Sequence, residues 1–288
     1  MIDPQPLLHL GFAYWGSRTL LAAVELGVFT ELGDGGLDGE QLRERLDLHP
    51  RAARDFLDSL VAMGLLQRIG ERYENTPVTA HYLDRRSADY LGDVFEDSGE
   101  RLFARWAGLT DALLAGGVPV IPGAGISRLA DPSLPALLHA YPWHLVASVA
   151  DLGAQDDGLL AELNDRLPDV ELLLFEGDPF TDELPPAQVL VLRHVLHAWN
   201  LPEKRMLLDR AYRALPAGGE LLITDSLIDD DRRDNAFGLL MSLNMLVETA
   251  GGFDYTRADA TEWLTAAGFR DIRVEPLTEV ESLIIATK

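Results

Sequence analysis

Ser148-Val149-Ala150-Asp151-Leu152-Gly153 reads as a buried strand running into a tight turn, and the elements on its C-terminal side decide the fold. The chain continues Ala154-Gln155-Asp156-Asp157-Gly158, then a helical run through Leu159, Leu160 and Leu163. A strand over 170–175 comes next and ends Glu176-Gly177-Asp178-Pro179-Phe180. The apolar strand Val189-Leu190-Val191-Leu192 leads into Arg193-His194-Val195-Leu196-His197-Ala198-Trp199-Asn200. A long helix over 202–215 stops at Pro216-Ala217-Gly218-Gly219, and 220–224 is another buried strand. Strands alternating with helices make a parallel sheet with helices on both faces. In such a fold the turn after the first strand cradles a nucleotide-type cofactor with bare backbone and a helix N-terminus. Here Gln155 and Asp157 bring side chains and negative charge into that turn.

Downstream, a helix near 237–247 carries Met241, Asn244 and Met245, and Gly251-Gly252-Phe253-Asp254-Tyr255-Thr256 comes after it. A helix near 260–267 and strands around 272–276 and 282–287 complete the α/β half. Upstream lies a different rhythm. Apolar residues Leu20, Leu21, Val24 and Leu26 stop at Gly27, Asp38 caps a second short helix, and Pro50 opens a third. The alternation Leu66-Gln67-Arg68-Ile69, a turn at Gly70 and Arg72-Tyr73-Glu74-Asn75 read as a β-hairpin. This is a winged-helix layout. A longer apolar helix through Leu102, Trp106, Leu109 and Leu114 precedes a Gly/Pro-rich stretch from Gly116 to Gly125, which sets the domains at 1–116 and 117–288.

Composition narrows the partners. The 288 residues include 47 acidic against 24 basic side chains, a formal charge of −23. Such a field repels nucleic acid and anionic membranes, so neither is expected as a partner. Arg51 and Arg54 on the third helix stand beside Asp55 and Asp58, which argues for a dimerisation or structural role rather than groove reading. With no cysteine there is no thiolate metal site, and His194 with His197 lacks a third ligand, so no metal is expected. No signal-like leader or membrane-length apolar run is seen, and a cytoplasmic location is expected.

The ordered set Trp15-Gly16-Ser17, Val24-Glu25-Leu26-Gly27, Gly177-Asp178, His197-x-Trp199, Leu215-Pro216-x-Gly218-Gly219 and Gly251-Gly252-Phe253-Asp254-Tyr255-Thr256 resembles the bacterial S-adenosylmethionine-dependent O-methyltransferases of the acetylserotonin and caffeate type. The resemblance covers nearly the whole chain. It implies a winged-helix-like, α-helical dimerisation domain, a homodimer, and a Rossmann-like class I methyltransferase domain. By the same resemblance His197 matches the catalytic base and Asp225 and Asp254 its flanking carboxylates. Asp151, Gly153 and Asp178 match cofactor positions, and His194, Trp199, Met241, Asn244 and Met245 fall on the acceptor side.

Departures from the family's pattern set the functional expectation. Between the first strand and Gly177-Asp178 about one strand-helix unit is missing, and the ribose-binding acid goes with it unless Glu176 substitutes. With Gln155 and Asp157 in the turn and Ala198 in place of the acid after the base, the expectation is an enzyme working without S-adenosylmethionine. His197 would then do acid/base chemistry, such as nucleophile addition, coupling, cyclisation or isomerisation, on an aromatic or quinonoid metabolite, with no cofactor. The alternatives are a cofactor-dependent O-methyltransferase acting on a hydroxylated aromatic molecule, and a catalytically silent partner subunit.

Overall fold

The computed structural model describes residues 2–118, 133–153 and 158–288, with only the backbone at Glu100. The described residues divide into two compact units that part between Ala104 and Arg105.

In the first unit, helices Tyr14–Glu25, Gly39–Arg45 and Pro50–Ala62 surround a small antiparallel sheet. Its strands β1 (Leu37–Asp38), β2 (Leu66–Ile69) and β3 (Arg72–Asn75) lie in the order β1-β3-β2. Asp38 accepts from the backbone of Glu40 and Gln41, and the Gln41 side chain answers to the Asp38 N–H, a complete capping box. Gly70, at φ 62°, makes the hairpin turn that a side chain would strain. Phe29, Leu42, Leu57, Leu60 and Leu66 form its core. The long apolar helix expected through 102–114 is interrupted. A π-helical turn at Ser98–Leu102 is followed by helices Phe103–Ala107 and Leu109–Ala115, which break at Gly108.

The second unit is built on six strands in the order β5-β4-β6-β7-β9-β8. These are β4 (Ser148–Asp151), β5 (Glu171–Leu174), β6 (Val189–Arg193), β7 (Glu220–Asp225), β8 (Arg270–Pro276) and β9 (Ser282–Thr287). Strands β5, β4, β6 and β7 pair in parallel, and β9 runs antiparallel between β7 and β8. Alternate residues sort to the two faces. Ala150, Leu190, Leu192, Leu221, Ile223 and Ile284 pack on helices Leu201–Ala214 and Arg257–Ala267. Val149, Val189, Val191, Leu222 and Ile285 pack on helices Leu134–Ala140 and Gly158–Arg166. Each fully buried Val or Leu contributes roughly 1.5–3 kcal/mol, so β6, buried at all five positions, anchors the sheet.

As the shortened sequence implied, β5 pairs directly with β4, with Val149 opposite Leu172 and Asp151 opposite Leu174. The chain leaves β4 toward β5 on one side and returns to β6 on the other, so the sheet reverses direction between β4 and β6. Ligands of open α/β sheets bind at such a reversal, outside the carboxyl ends of the strands. Asp151-Leu152-Gly153 and the segment after Arg193 stand there. No helix among the described residues is long and apolar enough to cross a membrane.

Candidate active site

The segment after β6 is held in an unusual backbone shape. His194 sits in the left-handed region at φ 53° with its N–H donated to Thr224 O at 2.9 Å, which turns the chain into the short Leu196–Ala198 3-10 helix. That turn carries His197, only 7% exposed, to the end of β7, whose last residue is the fully buried Asp225. His197 Nδ1 lies 2.6 Å from Asp225 Oδ1, and the Tyr255 hydroxyl donates to Asp225 Oδ2 at 2.7 Å. Burial works against the imidazolium, but the neighbouring Asp225 carboxylate outweighs it and holds the His197 pKa above the ordinary value. Burial also works against the Asp225 charge, and the imidazole and the Tyr255 hydroxyl together hold that carboxyl below its usual range. With Nδ1–H donated to Asp225, Nε2 is the ring nitrogen left to take a proton.

Asp254 approaches the same turn from the other side. Gly252 packs so closely that a Cβ there would lie 2.7 Å from both His197 O and Ala198 O, and Phe253 N–H donates to His197 O at 2.8 Å. The Asp254 N–H donates to Ser242 Oγ at 3.2 Å, while neither carboxylate oxygen has a hydrogen-bond partner among the described residues. Burial, with Asp225 nearby, pushes its pKa up to about 7, so at neutral pH it is poised between acid and carboxylate.

The acceptor-side residues separate into different roles. Asn244, on the Ala236–Glu248 helix, accepts the Trp106 indole N–H at 2.9 Å and faces Glu248, which Arg105 approaches at 3.7 Å. Met245 is 1% exposed and belongs to the interior, whereas Met241 is half-buried and its sulfur lies 4.0 Å from the Asn244 amide. Trp199 stacks edge-on against Phe180 at 4.6 Å, and the His194 ring is 6.4 Å from that of His197.

At the reversal of the sheet, Asp151 is fully buried and committed to its neighbours. Its Oδ2 meets Arg193 Nε at 3.0 Å and its Oδ1 accepts Gly153 N–H at 3.1 Å, so this acid ties β4 to β6. Gly153 lies flat against β6, where a Cβ would come 2.8 Å from Arg193 N. Asp178 is exposed and caps its own turn by accepting Phe180 N–H at 2.8 Å. Gln155 and Asp157 lie outside the described residues. Glu176, exposed just beyond β5, presents a carboxylate at the end of the strand beside β4. A ribose diol asks for an acid at that strand end, so the donor set present fits a nucleoside cofactor.

The sequence reading had no place for Tyr255 or Lys204. Lys204 is fully buried, its ammonium donating to Trp199 O at 2.6 Å and Phe253 O at 2.8 Å. A signal for it was there, since Lys204, Leu207, Leu208 and Ala211 share one helix face, putting a lysine in an apolar stripe.

A reversed parallel sheet with an imidazole–carboxylate pair at its carboxyl edge defines a Rossmann-like enzyme of the class I methyltransferase kind. Residues 164–270 match an O-methyltransferase domain and 8–85 an O-methyltransferase dimerisation domain. The chain is 37% identical to the tetracenomycin polyketide synthesis 8-O-methyl transferase of Streptomyces glaucescens, covering 99% of this chain and 97% of that protein. It is 31% identical to the 3-hydroxy-5-methyl-1-naphthoate 3-O-methyltransferase of Streptomyces sahachiroi, over 94% of this chain and 90% of the relative. Human N-acetylserotonin methyltransferase in complex with S-adenosylmethionine has the same fold at a TM-score of 0.89 and 26% identity, covering 99% of this chain and 97% of that one. The chain belongs to the O-methyltransferase family.

These relatives overturn the expectation of a cofactor-free, non-methylating enzyme. They are named as O-methyltransferases along their whole length, and the related human fold holds S-adenosylmethionine. The physical reason is local. The expectation leaned on Gln155 and Asp157 and on a lost ribose acid, and shortening the sheet has brought a strand ending in Glu176 against β4. An eroded cofactor site is not confirmed, and Gln155 and Asp157 lie outside the described residues.

Proposed function

We propose that the protein is an S-adenosylmethionine-dependent O-methyltransferase acting on a hydroxyl of an aromatic, polyketide-type small molecule. The observation that carries the reading is the Tyr255–Asp225–His197 chain of hydrogen bonds at the carboxyl edge of β6 and β7, beside the reversal of the sheet. His197 Nε2 takes the phenolic proton as the oxygen becomes a nucleophile, and Asp225 stabilises the imidazolium that forms. Asp254, with its unpartnered oxygens, accepts or shares a proton with the acceptor. Trp199 and Met241 supply apolar wall, while Asn244 and Met245 set the Ala236–Glu248 helix in place.

S-adenosylmethionine, when bound, supplies an electrophilic methyl group. Gly153, Glu176 and Asp178 are the residues to hold it, with Asp151 acting through its pair with Arg193 rather than as a direct contact. The two relatives with polyketide and naphthoate substrates in their names support an aromatic hydroxyl as acceptor. The 8–85 dimerisation match, with Leu7, Leu10 and Phe12 exposed on the first helix, supports a homodimer.

The test is incubation of purified protein with S-adenosylmethionine and hydroxylated naphthoates or tetracyclic phenols, followed by mass spectrometry. A product heavier by one CH2 unit, with S-adenosylhomocysteine formed in equal amount, is expected. Consumption of acceptor without S-adenosylhomocysteine would sink the reading.

A further inference from the structure

We propose that Lys204 is a positioning residue for the base: its buried ammonium fastens the His197 turn to the 251–254 loop, fixing the spacing between the imidazole and the Asp254 carboxyl. The inference rests on His197 being the base, as proposed above.

Lys204 is 0% exposed, and a lysine is almost never fully buried unless its charge is matched. Here the match is made by backbone. The ammonium donates to Trp199 O at 2.6 Å, Phe253 O at 2.8 Å and His197 O at 3.4 Å, one carbonyl for each of its protons. Two of these belong to the turn that carries the base and the third to the residue before Asp254. The Phe253 ring lies under the same ammonium at 3.8 Å.

His197 O is thus gripped twice, by Lys204 and by Phe253 N–H at 2.8 Å, in the gap that Gly252 leaves open. An aliphatic side chain would fill the same volume and take the ammonium donor from the Trp199 and Phe253 carbonyls, leaving His197 O to Phe253 N–H alone, which loosens the two segments from each other. The charged groups around Lys204 are Asp225 from β7, Asp254 from the loop and Glu203 on its own helix. Burial draws its pKa down to about 8, which keeps it protonated at neutral pH.

The chain has no cysteine, so Lys204→Cys can be alkylated at one place only. Unfolded, alkylated and refolded, the variant carries an ammonium of nearly lysine length after 2-bromoethylamine and an uncharged chain of similar bulk after 1-bromopropane. Wild-type protein taken through the same cycle is the reference, and Lys204→Met, purified without refolding, is the second variant. Methyl transfer and S-adenosylhomocysteine binding are measured on each.

Loss of the clamp should lower kcat by roughly tenfold to a hundredfold in the propylated and Met forms, with S-adenosylhomocysteine affinity unchanged. The aminoethylated form should recover the reference rate. In Lys204→Met, the His197 ring titration followed by NMR should move down, toward ordinary imidazole, as the ring slackens against Asp225. A role as a bare counter-charge would move it up, since a nearby cation is removed. This last readout needs no methyl transfer, so it separates failure of the clamp from failure of the methyltransferase reading. Full kcat in the propylated or Met form, no recovery on aminoethylation, or a titration unmoved or moved upward overturns the proposal.

Discussion

At His197 two opposed effects meet, burial penalising the imidazolium and Asp225 at 2.6 Å favouring it, and the carboxylate wins. His197→Ala should therefore cost about 10² to 10⁴ in kcat with the fold retained, measured by steady-state rates beside circular dichroism. Asp225→Asn removes the winning effect and leaves burial unopposed. The acid limb of the kcat/KM profile should then move to lower pH while the rate falls, and a limb moving to higher pH would contradict the assignment. Asp254 is the mirror case, its folded pKa raised from 3.8 to about 7 by burial. A raised carboxyl contributes its stability below pH 3.8, where both folded and unfolded states are protonated, and loses it as pH rises to about 7. Asp254→Asn should thus gain nothing near pH 3.5 and up to about 4 kcal/mol at pH 8, read from denaturant melts at both values.

Among the elements, the shortened sheet makes the sharpest claim. With β5 lying beside β4, Glu176 is the acid at the strand end where the proposed function puts a ribose diol. Glu176→Ala should weaken S-adenosylhomocysteine binding by about 1.5 to 3 kcal/mol, at least tenfold by calorimetry, and leave acceptor binding alone. Unchanged affinity would place the ribose contact elsewhere. Much of this element structure was legible in the sequence because its signals are local. The Asp38–Gln41, Asn200–Glu203 and Thr256–Asp259 capping boxes mark helix starts within four residues of chain, and the short unbroken apolar runs of β6 and β7 mark strands buried on both faces. The site was legible only through resemblance, since His197 and Asp225 meet from 28 positions apart in a chain where no pattern links them. Lys204 went unread because charge on a helix is ordinarily taken for the solvated face, and the break at Gly108 because a run of apolar residues does not say where it bends. The cofactor expectation failed for a related reason: the direct pairing of β5 with β4 was legible, but the missing segment was taken to remove the cofactor as well, against relatives named as O-methyltransferases.

On the scale of the molecule, a second copy is expected through the 8–85 region, where Leu8, Leu10, Phe12 and Trp15 are exposed on two successive helices. Small-angle scattering at micromolar concentration should return the mass of two chains, and Leu10→Glu with Phe12→Glu should return one. The shorter sheet also changes how the protein behaves in crowded solution. Among the described residues strand β5 ends the sheet, so one side of Glu171-Leu172-Leu173-Leu174 has no strand paired to its N–H and C=O groups, beside a partly exposed apolar row. Such a margin is a template for pairing with other chains. What restrains it is charge, locally from Asp169, Glu171, Glu176 and Asp178 and globally from a formal net of −23. That protection is lost near the isoelectric point of about 4.5, where turbidity and thioflavin fluorescence should rise together and Leu173→Lys should suppress both. The economy of a shorter sheet is therefore bound to the acidity of the chain: a variant neutralised at its surface carboxylates should keep its site and aggregate.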